Sequence, residues 1–200
     1  MNEFRKNFTK EYLKELQKTL AAMENDFIKK MDAVVTLLLK ARDKKKTIFI
    51  MGNGGSASTA SHFASDLSKG TIVPGFPRFK VVALTDNLPT MLAWANDKSY
   101  DDIFVEQLKN LMEPGDVVIG ISGSGNSMNI IKAIEYANAN GGITIGITGY
   151  DGGKLLKCSK ETIHTPSMYM QRVEDLHLII EHLLTSLIRE EQQSKKRQNS

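Results

Sequence analysis

Thr47-Ile48-Phe49-Ile50-Met51-Gly52-Asn53-Gly54-Gly55-Ser56 is the stretch whose reading decides the fold. A short β-favouring apolar run passes directly into a loop of glycine and small polar residues, and a helical pattern follows through Leu67. An apolar run without alternation belongs to a strand covered on both faces. Similar runs recur at Lys80 to Leu84, Asp116 to Ile121, Ile143 to Thr148 and, more weakly, Glu161 to His164. Helical patterns lie between and after them, at Pro89 to Asn96, Ile103 to Met112, Asn129 to Asn140, Lys154 to Lys157 and Met170 to Arg189. Five strands alternating with helices predict a single α/β domain. Its sheet is expected to be parallel, doubly wound and five-stranded, flavodoxin-like or Rossmann-like, with ligands at the C-terminal strand ends.

Ahead of the first strand runs a long amphipathic helical pattern. Leu16, Leu20, Met23, Phe27, Met31, Val34 and Leu38 recur at three- and four-residue steps among Lys, Glu, Asp and Asn. The reading is therefore an oligomerisation segment over 1–45, the sheet domain over 46–190 and a polar tail over 191–200. A helix of this length cannot hide its whole stripe on its own domain, so a second copy is expected to cover part of it. Composition narrows the class. In 200 residues, 26 Lys and Arg against 23 Asp and Glu give +3, too balanced to point to nucleic acid. The single Cys158 precludes an internal disulfide and fits a reducing, cytoplasmic setting. No apolar run reaches the roughly 18 residues of a membrane span, and Met1 to Lys10 has no signal-peptide core.

Two loops at strand ends are unusual: Gly52-Asn53-Gly54-Gly55-Ser56-Ala57-Ser58 and Ser122-Gly123-Ser124-Gly125-Asn126-Ser127. Small residues let backbone approach a ligand closely, and amides at a helix start favour an anion. Either loop alone is also what a tight turn with a serine cap looks like. Two such loops in one sheet favour a phosphate site, with Ser122, Ser124 and Ser127 as hydroxyl donors and Ser56 assisting. A P-loop is absent. Gly52, Gly54 and Ala57 satisfy the loose dinucleotide pattern GxGxxA, yet the acidic residue about 20 positions on is missing, so no nucleotide cofactor is expected.

Taken in order, Met51 to Ser56, His62-Phe63-Ala64, Asn96-Asp97, Ile121 to Ser127 and Thr148 to Gly153 resemble the sugar isomerase (SIS) domain family. The likeness is strongest to its phosphoheptose isomerase branch and runs from about Phe4 to Arg189. The resemblance implies aldose–ketose isomerisation of sedoheptulose 7-phosphate to D-glycero-D-manno-heptose 7-phosphate through an enediol, by a homotetramer with active sites between subunits. It assigns Asp66 and His182 as the acid/base pair. It assigns substrate and phosphate binding to Asn53, Gly54, Gly55, Ser56, Asn96, Asp97, Ser122, Gly123, Ser124, Gly125, Asn126, Ser127 and Glu174. Some members hold zinc at the positions of His62, Asp66, Glu174 and His182.

Two positions depart from that pattern. Asp66 stands where the family has glutamate, which retracts the carboxylate by roughly 1 Å, a displacement that can cost about a hundredfold in rate. Glu174 replaces a glutamine and adds a charge that suits zinc better than an amide does. Glu174 and His182 are nevertheless separated by roughly 12 Å along a regular helix, so both reach one metal only if the helix starts late or two chains contribute. His177 faces another side and reads as structural or interfacial. Trp94 and the helically spaced methionines read as core or subunit contacts. The alternative function is a non-catalytic phosphosugar-binding or regulatory SIS protein of the kind that associates with a replication initiator. Loss of the glutamate favours it. Retention of His62, His182 and an acid at 66 favours the enzyme.

Overall fold

The computed structural model describes residues 2–198. Its strands are β1 (Thr47–Gly52), β2 (Lys80–Ala83), β3 (Val117–Ser122), β4 (Ile143–Thr148) and β5 (Glu161–His164). All are parallel, in the order β2-β1-β3-β4-β5. The helices are α1 (Glu3–Asp43), α2 (Gly55–Ser65), α3 (Leu88–Asp97), α4 (Val105–Leu111), α5 (Met128–Ala139), α6 (Gly153–Cys158) and α7 (Met170–Gln198). This is the doubly wound sheet expected from the pattern, with the order reversing between β1 and β3.

Successive residues of β1 face opposite layers. Ile48 and Ile50 pack with Ala60, Phe63 and Leu67 beside α2, with Val34 and Leu38 of α1, and with Ile180 and Leu184 of α7. Phe49 and Met51 pack with Leu108, Ile130 and Ile134 on the other side, where half-buried Trp94 also joins the core. Two apolar layers explain why the strands read as unbroken hydrophobic runs. Among the described residues no helix is long and apolar enough to cross a membrane.

Three helical details go beyond the sequence reading. The second half of α1, from Met31 through Ala41, is part of the chain's own core, whereas Phe4, Phe8 and Leu13 of the first half are exposed. The helix begun by α2 widens into a π-helical turn over Asp66–Gly70. Finally, α7 continues to Gln198 instead of ending near Arg189. Its last turns are polar but made of good helix formers. Glu191 pairs with Lys195, and buried Gln192 accepts a 2.8 Å hydrogen bond from Arg42 Nη1 while donating to the Ile188 carbonyl.

Candidate active site

The two small-residue loops meet at the C-terminal edges of β1 and β3, where the strand order reverses and the flanking helices diverge. Between them lies a cleft of about 270 Å³. Asn53, Gly54, Gly55 and Ser56 form one wall, Ser122, Gly123, Ser124 and Ser127 the other, and Met170 and Glu174 of α7 close it. The N-termini of α2 and α5 both open beside it.

Hydrogen bonds hold the loops in shape. Ser122 Oγ accepts from Gly125 N–H at 3.1 Å and lies 3.2 Å from Ser127 Oγ. Ser124 Oγ accepts from Asn126 N–H at 3.2 Å. Asn126 reaches back to the Ser124 carbonyl and accepts from Lys154 N–H, fastening the loop to α6. Gly125 has φ of 65°, and a Cβ there would stand 2.0 Å from the Gly152 carbonyl oxygen, so only glycine fits. Asn53 and Asn129 exchange reciprocal amide hydrogen bonds of 2.9 Å, and Tyr100 donates to Asn53 Oδ1. Asn53 thus ties the first loop to α5.

Buried Gly125 and exposed Asn126 are not among the lining residues, and Asn96 and Asp97 lie outside the cleft at the exposed end of α3, where Asn96 donates to Asp97 at 2.9 Å. Those four expected binding residues therefore do not line the cleft in this chain.

The second half of the site sits farther along the same two helices. A Cβ on Gly55 would meet Glu174 Oε1 at 2.5 Å, so α2 and α7 come close at the cleft. Seven residues on in each helix stand His62 and Glu181, and with Asp66 and His182 just beyond them they face one another. The helices run side by side in the same direction, and seven residues advance each by about 10.5 Å. One ligand atom from each of His62, Asp66, Glu181 and His182 lies within 4.8 Å of the others. His62 Nε2 is 3.8 Å from Asp66 Oδ2, and His182 Nε2 is 3.3 Å from Glu181 Oε2. The imidazoles meet edge to face with centroids 5.1 Å apart.

The expected quartet is thus brought together in part. His62, Asp66 and His182 converge within one chain, without help from a partner. Glu174 does not join them. It lies against Gly55 at the cleft, and the carboxylate completing the group is Glu181. Helix geometry explains the difference: Glu174 and Glu181 share a face of α7, two turns apart, and only the later one is level with Asp66. A sequence signal for Glu181 existed. It falls on the stripe of Val173, Leu176, His177, Ile180 and Leu184, where a charged residue is out of place.

Glu181 is fully buried, and burial, followed by the adjacent Asp66 carboxylate, pushes its pKa up to about 8. His177 is buried as well, and burial lowers its pKa to about 4. It belongs to the packing of α7 over the sheet, in keeping with a structural role.

Known proteins share this fold. A model of the SIS domain family matches residues 11–149. The chain is 37% identical over 190 residues to a phosphoheptose isomerase of Sulfurimonas denitrificans, covering 93% of this chain and 96% of that one. It is 36% identical over 177 residues to a probable phosphoheptose isomerase of Thermoplasma acidophilum, covering 88% and 97%. The phosphoheptose isomerase structure from Neisseria gonorrhoeae superposes with a TM-score of 0.85 at 28% identity, covering 92% of this chain and 97% of its own. A likeness that runs through the long first helix, both loops and the last helix places the chain in the SIS domain family, in its phosphoheptose isomerase branch.

Proposed function

We propose that this protein is a phosphosugar isomerase that interconverts sedoheptulose 7-phosphate and D-glycero-D-manno-heptose 7-phosphate. The observation that carries this reading is the spacing of the site. A serine-rich anion cradle and an acid/base cluster sit on one pair of helices, about two to three helical turns apart along them. An extended seven-carbon sugar phosphate has its phosphate and its first two carbons at comparable separation. Relatives named as phosphoheptose isomerases add support.

In this mechanism Ser56, Ser122, Ser124 and Ser127, with the amides opening α2 and α5, hold the phosphate without a cation. The Asp66 carboxylate removes the proton from the carbon beside the carbonyl while His182 protonates the carbonyl oxygen, forming an enediol. Return of the proton to the neighbouring carbon and loss of the hydroxyl proton complete the exchange. The donor chemistry of His62, Asp66 and His182 fits zinc, which when bound would draw the cluster together around a positive charge. Assembly as a homotetramer in the cytoplasm is part of the reading. Its supports are the exposed apolar faces of α1 and α7 and the single Cys158.

The test is turnover of sedoheptulose 7-phosphate followed by NMR, with and without zinc, for the native protein, Asp66→Asn and Asp66→Glu. Native turnover, a fall of about 10²–10⁴-fold in Asp66→Asn and a gain in Asp66→Glu are expected. A protein that binds the sugar phosphate yet turns it over in neither the native nor the Asp66→Glu form would be a binding module instead.

A further inference from the structure

Glu181 differs from every other member of the acid/base cluster. His62, Asp66 and His182 keep between a third and a half of their side-chain surface in solvent, whereas Glu181 has none. Neither of its carboxylate oxygens has a hydrogen-bond partner among the described residues. It is nevertheless aimed at the cluster, with Oε2 3.3 Å from His182 Nε2 and an oxygen within 4.8 Å of donors on His62 and Asp66. A carboxylate taken out of water with no donor to meet it is unfavourable unless it takes up a proton or a positive charge occupies the space it faces.

We infer that Glu181 is a direct ligand of a divalent transition-metal ion, completing with His62, Asp66 and His182 a two-imidazole, two-carboxylate site within a single chain, while Glu174 serves the phosphate cleft. The inference rests on the metal reading given above and adds to it a residue to which the resemblance assigns no role. Four donors about 2.1 Å from a tetrahedral ion stand about 3.4 Å from one another. The pairs measured here, 3.3 Å and 3.8 Å, straddle that edge, and none of the four donor atoms is more than 4.8 Å from another. Two imidazoles select zinc, cobalt or a similar ion over magnesium or calcium. The two carboxylates then neutralise the dication, which removes the repulsion between Asp66 and Glu181. His62 comes from α2, Asp66 from the π-helical turn that continues it, and Glu181 and His182 from α7, so the ion would fasten α2 and that turn to α7.

The experiment is titration of chelator-treated, full-length protein with zinc, against a chromophoric competitor, in the native form and in Glu181→Gln, Glu181→Met and Glu174→Gln. Circular dichroism of each metal-free variant establishes folding, and Glu181→Met replaces the buried charge by an apolar chain should the amide fail to fold. One zinc per native chain is expected. Losing a group that only supports a ligand costs about 10–100-fold in affinity, so both Glu181 variants are expected to lose at least a hundredfold. Glu174→Gln should stay within threefold of native. Cobalt(II) in place of zinc should give visible bands that change in the Glu181 variants and not in Glu174→Gln. Native affinity and unchanged cobalt bands in Glu181→Gln would overturn this assignment while leaving the metal reading intact. A native chain that takes up no zinc or cobalt would overturn both.

Discussion

Ser124 already uses its oxygen as an acceptor from Asn126 N–H, so its hydroxyl proton is the one it can offer to a ligand in the cleft. A hydrogen bond to a charged phosphate contributes about 1.5–3 kcal/mol, and Ser124→Ala should weaken sugar phosphate binding at least tenfold by calorimetry. Ser122→Ala should do so too, while also loosening the turn that its oxygen holds through Gly125 N–H. Glu174 acts in the opposite sense. Its carboxylate lies beside Gly55 at the mouth of an anion site, and like charges at short range repel. Inorganic phosphate carries no sugar for Glu174 to engage, so Glu174→Gln should bind it about threefold to tenfold more tightly, and less so as salt rises. The serines were legible because two such loops stand at strand ends of one sheet, where either alone would read as a serine-capped turn. The Asn53–Asn129 pair was not, since its partners lie 76 residues apart and only the folded sheet brings them together.

Among the elements, α7 carries the widest range of duties. It covers the sheet with Val173, Leu176, Ile180 and Leu184, and it presents Glu174, Glu181 and His182 to the site. His177 lies on its buried face, and its ring stays neutral down to about pH 4, whereas in the unfolded chain it titrates near 6.5. Between those values the unfolded chain holds the extra proton, so stability falls as pH falls. From pH 6.5 to 4.5 this one group removes about 2 kcal/mol. Urea unfolding of native protein and His177→Leu at the two pH values checks it, and the variant should lose about 2 kcal/mol less. The central strands β1, β3 and β4 were readable to within a residue because both their faces are buried, and the partly exposed edge strands β2 and β5 were read from their short β-favouring runs. The π-helical turn and the last turns of α7 were not readable. The former follows no hydrophobic period, and the latter looks like a solvated tail until Gln192 meets Arg42. Which acid joins the histidines depended on helix face and rise together, and likeness to known sites supplied only the residue types.

At the scale of the whole molecule, α1 and α7 leave an open groove of about 640 Å³ in which Phe27, Ile28 and Met31 face Leu183 and Leu187. Ile28 is 62% exposed and Leu187 41% exposed, and in the proposed tetramer a second chain covers them. Light scattering at micromolar concentration should give four times the 22.2 kDa of the chain, and Leu187→Glu should lower that mass without changing the far-ultraviolet spectrum. A native mass of one chain would refute assembly through this face. The side-by-side course of α2 and α7 has a consequence of its own. With one end of a substrate pinned by the serines and the other read at Asp66 and His182, the helix pair works as a ruler graduated in helical turns. Each carbon removed from a sugar phosphate draws its carbonyl one bond back toward the pinned end, away from the base. Chain length, more than the configuration of any single hydroxyl, is then the property by which this protein sorts its substrates, and a triose phosphate would fill the cradle and go unread.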